Sequence, residues 1–283
     1  MRAAGSPVPT AGEGSAVGRG GRISSAGASR GNVVCDLDGV VYLLDTPVPG
    51  AGAALSEIER LGYRLLFATN APIRTPEAVA AHIASLTGYP AEAAQVVTSA
   101  MAAADVLSAA DCPVLVVGEI GLSATLQQSG LWLTGDPLEA RSVVVGLDRG
   151  LTYDRLRTAA RALLRGVRFV ASNRDPTYPT DSGPWPGGGA IVAALEVATG
   201  RVAEVVGKPH RPMREAIERR LGPGPTWIVG DRPETDLALG REERWSTVLV
   251  LTGVIADVTG VPEGLRPDLV LASIADLPAH LPG

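Results

Sequence analysis

Short apolar runs alternate with stretches of helical periodicity along most of the chain. The runs fall at residues 33–37, 65–68, 114–117, 143–145, 167–170, 227–229, 248–251 and 269–271. Each is rich in Val, Leu or Ile and too short for a helix, so each is read as a strand. Between them, residues 51–61 set apolar side chains at helical spacing and stop at Gly62. Thr75-Pro76-Glu77 reads as an N-cap followed by Pro in the first turn, opening a helix that runs to about residue 86. Further helices are predicted over 98–108, 121–129, 152–164, 191–198 and 211–221. Continuous apolar strands separated by helices predict parallel sheets covered on both faces. About eight or nine strands suit two α/β modules better than one sheet.

Composition narrows this picture. The chain has 283 residues, 46% hydrophobic and 19% charged, which is a globular balance for one large or two modest domains. Only 4% is aromatic, so the core must be built from Ala, Val and Leu. Cys35 and Cys112 are too few for a disulfide framework or a four-Cys zinc site. A net charge of -5 argues against nucleic acid as a partner. No apolar stretch approaches the roughly 18 residues of a membrane span. Residues 1–31 hold eight Gly, four Arg and one Glu, without a long apolar run. They are read as a disordered tail, and they lack the apolar region of a secretory signal. With two cysteines and no signal, a reducing cytoplasm is the expected compartment. Of 25 basic residues, 24 are Arg and one is Lys208, while Asn occurs only at 32, 70 and 173. In such a skewed chain the rare residues rank first as candidates.

In open α/β sheets ligands sit outside the carboxyl ends of strands, so the polar residues there carry the chemistry. The first run ends in Asp36-Leu37-Asp38-Gly39. Two carboxylates two residues apart on extended backbone point to one side, and they repel unless a cation lies between them. Gly39 permits a sharp turn. The second run ends in Thr69-Asn70, a hydroxyl and an amide that can donate to phosphate oxygens. Lys208 follows Val205-Val206-Gly207 and offers a compact cation for a transferring phosphoryl group. Gly230-Asp231 ends another strand, and Asp236 falls five residues on. That pair can hold a hard cation through oxygen ligands. Each motif alone has a plain structural explanation as turn, cap or surface charge. Their order along the chain is what carries the signal.

With these four motifs the sequence resembles the haloacid dehalogenase superfamily, in its NagD-like and p-nitrophenyl phosphatase-like branch. The resemblance spans about residues 32–280. It also includes Val248-Leu249-Val250-Leu251-Thr252-Gly253 and the stretch from Ala171-Ser172-Asn173-Arg174-Asp175-Pro176 to Pro186-Gly187-Gly188-Gly189. It implies an α/β fold, a Rossmann-like parallel-sheet core with an inserted α/β cap. The core is expected at 32–111 and 203–283, and the cap at 112–202. The cap echoes the core, since 65–70 reads LLFATN and 168–173 reads RFVASN.

The resemblance further implies a Mg²⁺-dependent phosphatase acting through an aspartyl-phosphate. Asp36 is then the nucleophile and Asp38 the general acid and base. Mg²⁺ is expected on the Asp36 carboxylate, the Asp38 backbone carbonyl and Asp231, with Asp236 nearby. Thr69, Asn70, Ala71 and Lys208 are expected at the phosphate. Ala71 stands where relatives carry a second Asn, and its backbone N–H is expected to remain available there. Asn173, Asp175 and Tyr178 of the cap, together with Trp185, are expected to face the core site and set specificity. The stretch from Gly240 to Trp245 is bulkier and more charged than in relatives, which puts its packing in question. The expected partner is a small phosphorylated metabolite. Candidates are glycerol phosphate, phosphoglycolate, sugar phosphates, nucleoside monophosphates and p-nitrophenyl phosphate. Relatives often form homodimers through the cap, so the resemblance makes a cap-mediated homodimer a further expectation. A phosphotransferase would share every catalytic residue, and a silent phosphate-binding homologue is the non-enzymatic alternative. Asp38 argues against a dehalogenase, and the length argues against a receiver domain.

Overall fold

The computed structural model describes residues 29–180 and 182–282. Residues 1–28 of the expected tail lie outside them. In chain order the first half contains β1 (Gly31–Cys35), β2 (Tyr42–Leu43), β3 (Thr46–Pro47), α1 (Ala51–Arg60), β4 (Tyr63–Thr69), α2 (Pro76–Thr87), β5 (Val96–Thr98) and α3 (Ser99–Val106). Next come β6 (Val114–Val117), α4 (Ile120–Gln128), β7 (Ser142–Val145), α5 (Tyr153–Leu163), β8 (Arg168–Ala171), β9 (Thr177–Tyr178), β10 (Trp185–Pro186), α6 (Gly188–Thr199) and β11 (Glu204–Val205). The chain closes with α7 (Arg211–Glu218), β12 (Thr226–Gly230), α8 (Ala238–Glu243), β13 (Ser246–Val250) and β14 (Leu269–Leu271).

Two parallel sheets result, as the apolar runs require. A six-stranded sheet has the order β14-β13-β12-β1-β4-β5. A four-stranded sheet has the order β11-β8-β7-β6. Every residue of β1 is buried, because β12 and β4 flank it and helices cover both faces. Alternation splits its side chains between two clusters. Val33 and Cys35 face Leu55 and Ile58 of α1 and Val79 and Ile83 of α2. Val34 faces Ala100 and Ala103 of α3 and Met213 and Ile217 of α7.

That second cluster runs on into the inserted module. It takes in Leu122 and Leu126 of α4, Val144 of β7 and Val170 of β8. Full burial of each leucine is worth about 1.5–3 kcal/mol. The inner face of the small sheet is therefore fastened to α3 by apolar contact. Its outer face packs Val143, Val145 and Phe169 under Leu163 of α5 and Leu195 of α6.

Several expectations shift by a few residues. Gly31, placed in the tail by sequence, already belongs to β1. The small sheet includes β11, beyond the expected cap limit of 202. The return crossing therefore lies at Val206 and Gly207. Strands β5 and β11 have three and two residues, too few to show a period. The predicted N-cap at Thr75 is present, its hydroxyl accepting from the Ala78 N–H at 3.4 Å. The doubtful stretch after the fourth motif packs well. Gly240 lies where an added Cβ would come within 2.5 Å of Ile228, while Arg241 and Glu242 stay exposed. Among the described residues no helix is long and apolar enough to cross a membrane.

Candidate active site

The four motifs converge at the carboxyl ends of β1, β4 and β12. The chain leaves β1 at Asp36 and turns at Gly39, where φ is +90°. A Cβ there would lie 2.4 Å from Asp231 Oδ2, so the turn requires glycine for its conformation and for its closeness to Asp231. Asp231 follows β12, and its Oδ2 accepts the Val254 N–H at 2.7 Å. A π-helical turn over Pro233–Leu237 carries Asp236 beneath them.

Lys208 ties the cluster together. Its Nζ donates to Asp36 Oδ1, Asp236 Oδ1 and the Ala68 carbonyl, each at 2.7 Å. Only 3% of the residue is exposed. Burial pulls the ammonium down, but Asp236 and Asp36 outweigh it and hold it well above its ordinary value. Burial likewise raises the Asp36 carboxyl, with Lys208 opposing and Asp236 and Asp231 adding. Asp231 is pushed up to about 7 by burial and then by Asp236. Asp38 is pushed up to about 6 by burial, with the Tyr178 hydroxyl and Lys208 acting against it. The Tyr178 hydroxyl and the Asp38 carboxyl face each other closely enough to affect ionisation. Yet neither that hydroxyl nor Asp38 Oδ1 has a hydrogen-bond partner.

This donor set fits a divalent cation. One carboxylate oxygen from each of Asp36, Asp231 and Asp236 lies within 4.8 Å of the others, and all three residues are buried. A single ammonium cannot neutralise three buried acids, and burial, with the neighbouring carboxylates adding, holds Asp36 and Asp231 above their ordinary range. Hard oxygen donors at this spacing suit a hard cation, whose charge removes that penalty.

Above the cluster is a cleft with an empty volume of about 460 Å³, part of it open to solvent. Asp36, Asp38, Thr69, Asn70, Ala71, Lys208 and Asp231 line its floor, and Asn173, Asp175 and Tyr178 line its cap side. Asp236 lies behind Lys208, outside the lining. Trp185 is not among the residues that line the cleft: it sits on the β9–β10 ribbon and is 41% exposed.

Two local expectations also change. The Ala71 N–H is not idle, since it donates to Thr69 Oγ1 at 3.0 Å. Ala71 also packs beside Ile73, Leu147 and Tyr178. The Asn70 amide is turned toward Lys208 and Asp175 rather than left free. Sequence reasoning passed over Leu147, Thr177 and Arg232, which also line the cleft. Arg232 donates to the Thr177 carbonyl at 3.2 Å and to its hydroxyl at 3.1 Å. Its place directly after Asp231 was the available signal. Leu147 and Thr177 have none, since their role depends on where the cap sits.

Comparison with known proteins agrees with this geometry. Residues 33–132 match the family model of haloacid dehalogenase-like hydrolases, and residues 205–277 match an HAD-hydrolase-like model. Mouse chronophin is 39% identical over 266 residues, covering 87% of this chain and 91% of that protein. The glycerol phosphate phosphatase of Mycobacterium tuberculosis, solved with calcium, is 34% identical. It superposes with a TM-score of 0.78 over 87% of this chain and 74% of that one. NagD from Escherichia coli K-12 is 32% identical with a TM-score of 0.74, covering 88% and 98%. The strand-end acids, the buried lysine and these likenesses together establish that the chain belongs to the haloacid dehalogenase hydrolases, in their NagD-like phosphatase branch.

Proposed function

We propose that this chain is a Mg²⁺-dependent phosphatase that hydrolyses small phosphate monoesters through an aspartyl-phosphate on Asp36. The observation that carries this reading is Lys208, held 2.7 Å from both Asp36 and Asp236 in a cleft also lined by Asp38. An ammonium so fixed orients the Asp36 carboxylate and offers positive charge where phosphoryl charge develops.

In the first step an Asp36 oxygen forms a bond to phosphorus as the bond to the leaving oxygen breaks. The proton of Asp38 passes to that departing oxygen. Burial suits Asp38 to this, since a carboxyl near pH 6 keeps a useful protonated fraction close to neutrality. In the second step Asp38, now a carboxylate, takes a proton from water. The water oxygen bonds to phosphorus as the bond to Asp36 breaks, releasing inorganic phosphate and restoring both residues. Lys208 and the Thr69 hydroxyl stabilise the non-bridging oxygens. Asp36, Asp231 and Asp236 would hold Mg²⁺. When bound, the ion offsets the repulsion between the carboxylate nucleophile and a phosphate dianion.

Asn173, Asp175 and Tyr178 of the cap line the far side of the cleft, which favours small leaving groups. Glycerol phosphate, phosphoglycolate, sugar phosphates, nucleoside monophosphates and p-nitrophenyl phosphate are the candidates. The similarity to a glycerol phosphate phosphatase supports the first of them. The test is phosphate release from this panel with Mg²⁺ and with EDTA, beside Asp36→Asn. Metal-dependent release that the variant loses is the expected result. Hydrolysis by Asp36→Asn at near the wild-type rate would refute the nucleophile.

A further inference from the structure

Every polar atom of the Asn70 side chain is committed within the protein. Oδ1 accepts the Lys208 backbone N–H at 2.7 Å. Nδ2 donates to the Lys208 carbonyl at 3.2 Å. It also donates to the Asp175 carboxylate, 3.3 and 3.2 Å from the two oxygens. A primary amide has two N–H bonds, so no donor remains for a phosphate. Reversing the amide would set its oxygen against the Asp175 carboxylate and its NH₂ against the Lys208 N–H. The partners therefore fix its orientation. The Asn70 carbonyl is held as well, accepting from Ser99 Oγ and Asn173 Nδ2, both at 2.7 Å.

Lys208 itself stands where the two modules meet. Its side chain is anchored in the six-stranded module, on Asp36, Asp236 and Ala68. Its backbone emerges from β11 of the four-stranded sheet, with only Val206 and Gly207 between. Gly207 is pressed between the modules: a Cβ there would lie 2.3 Å from the Ser172 carbonyl oxygen and 2.6 Å from Asn70 Oδ1.

We propose that Asn70 is a positioning residue that couples seating of the cap loop, through Asp175, to placement of Lys208 beside Asp36, and that it is not a phosphate ligand. With Asp175 seated, its carboxylate holds one N–H of Asn70. The other N–H and Oδ1 then grip the Lys208 residue by its carbonyl and its N–H. When the loop lifts, the amide loses its charged partner and the grip on the Lys208 backbone loosens. The nucleophile is thus fully poised only beneath a seated loop. This deepens the phosphatase reading and rests on it for the kinetic measurements alone.

Two measurements test it on the full-length protein. The first is a double-mutant cycle in kcat with Asn70→Ala and Asp175→Ala, with Asp175→Asn as the conservative variant. Loss of one hydrogen bond to a charged group should slow Asp175→Ala about tenfold in kcat, with little change in KM. Asp175→Asn keeps an acceptor oxygen and should recover most of that loss. In the Asn70→Ala background, Asp175→Ala should cost almost nothing more. Losses that multiply would overturn the coupling. The second is amide hydrogen exchange over residues 206–212, which needs no activity. Asp175→Ala should speed exchange there about tenfold although the substitution lies in the cap loop. Asp175→Asn should exchange near the wild-type rate, and unchanged exchange in a folded Asp175→Ala protein would also overturn it. Activity surviving in Asp36→Asn would instead defeat the phosphatase reading and leave the exchange result standing.

Discussion

β4 passes through Phe67-Ala68-Thr69 to Asn70, and β8 passes through Val170-Ala171-Ser172 to Asn173. Both strands are parallel, apolar and central to their sheets, and both turns are buried. Their surroundings differ. Beside β4 lies β1, whose end carries Asp36 and Asp38, and β12 beyond it delivers Asp231. Beside β8 lies β7, whose end carries Leu147 and then Asp148, already paired with Arg155 at 2.5 Å. Similar local sequences, Ala68-Thr69-Asn70 and Ala171-Ser172-Asn173, thus serve chemistry in one module and closure in the other. The two turns even meet, Asn173 Nδ2 donating to the Asn70 carbonyl. What distinguishes a reactive strand end from a structural one is the set of strand ends beside it.

Substitutions should separate the modules by size of effect. After Asp36→Asn, the largest loss is expected from Lys208→Met. Removing the ammonium should lower kcat about 10³-fold and leave Asp36 and Asp236 buried without their partner. The folded-state carboxyl pKa of Asp36, which Lys208 holds down against burial, then rises further above its unfolded value. In EDTA the variant should therefore be least stable at high pH and recover as pH falls, which thermal unfolding at pH 5 and pH 8 reads directly. An unchanged pH dependence would show that Lys208 is not what neutralises the pair.

Next comes Asp38→Asn, expected to cost about 10²-fold, the lower end of what a positioned acid contributes. In the wild type kcat/KM should fall as pH rises through about 6, because the first step needs the protonated carboxyl. A profile flat across that range would remove Asp38 from the acid role.

The smallest effect belongs to the cap. Tyr178→Phe deletes a hydroxyl that lowers the Asp38 pKa, so the falling limb should move to higher pH with only a few-fold change in kcat/KM. A loss as large as that of Asp38→Asn would erase the distinction between modules.

Much of this was legible along the chain. Apolar runs of three to five residues gave the central strands, since a strand buried on both faces has no room for polar side chains. Asp36, Asp38 and Asp231 stood out because they stand at the ends of such runs, and Lys208 because it is the only lysine in the chain. The three asparagines justified their rarity: each bridges backbone far away in sequence. Asn32 does so outside the cleft, bonding Gly222 through both its amide groups. Strand β11 was not legible, because two residues define no period. Trp185 was misjudged because only the position of the β9–β10 ribbon over the core decides which of its residues reach the cleft.

Sequence by itself determined the alternating fold, the residues at the strand ends and their chemical types, because burial and turn chemistry act within a few neighbours. Only tertiary structure decided that Lys208 bridges Asp36 and Asp236, that Asn70 spends its amide on Lys208 and Asp175, and that Ala71 packs beside Tyr178. Most of these contacts join residues more than a hundred positions apart, and Lys208 and Asp236 are still 28 apart. No local pattern encodes such distances; the crossing of the chain between two sheets does.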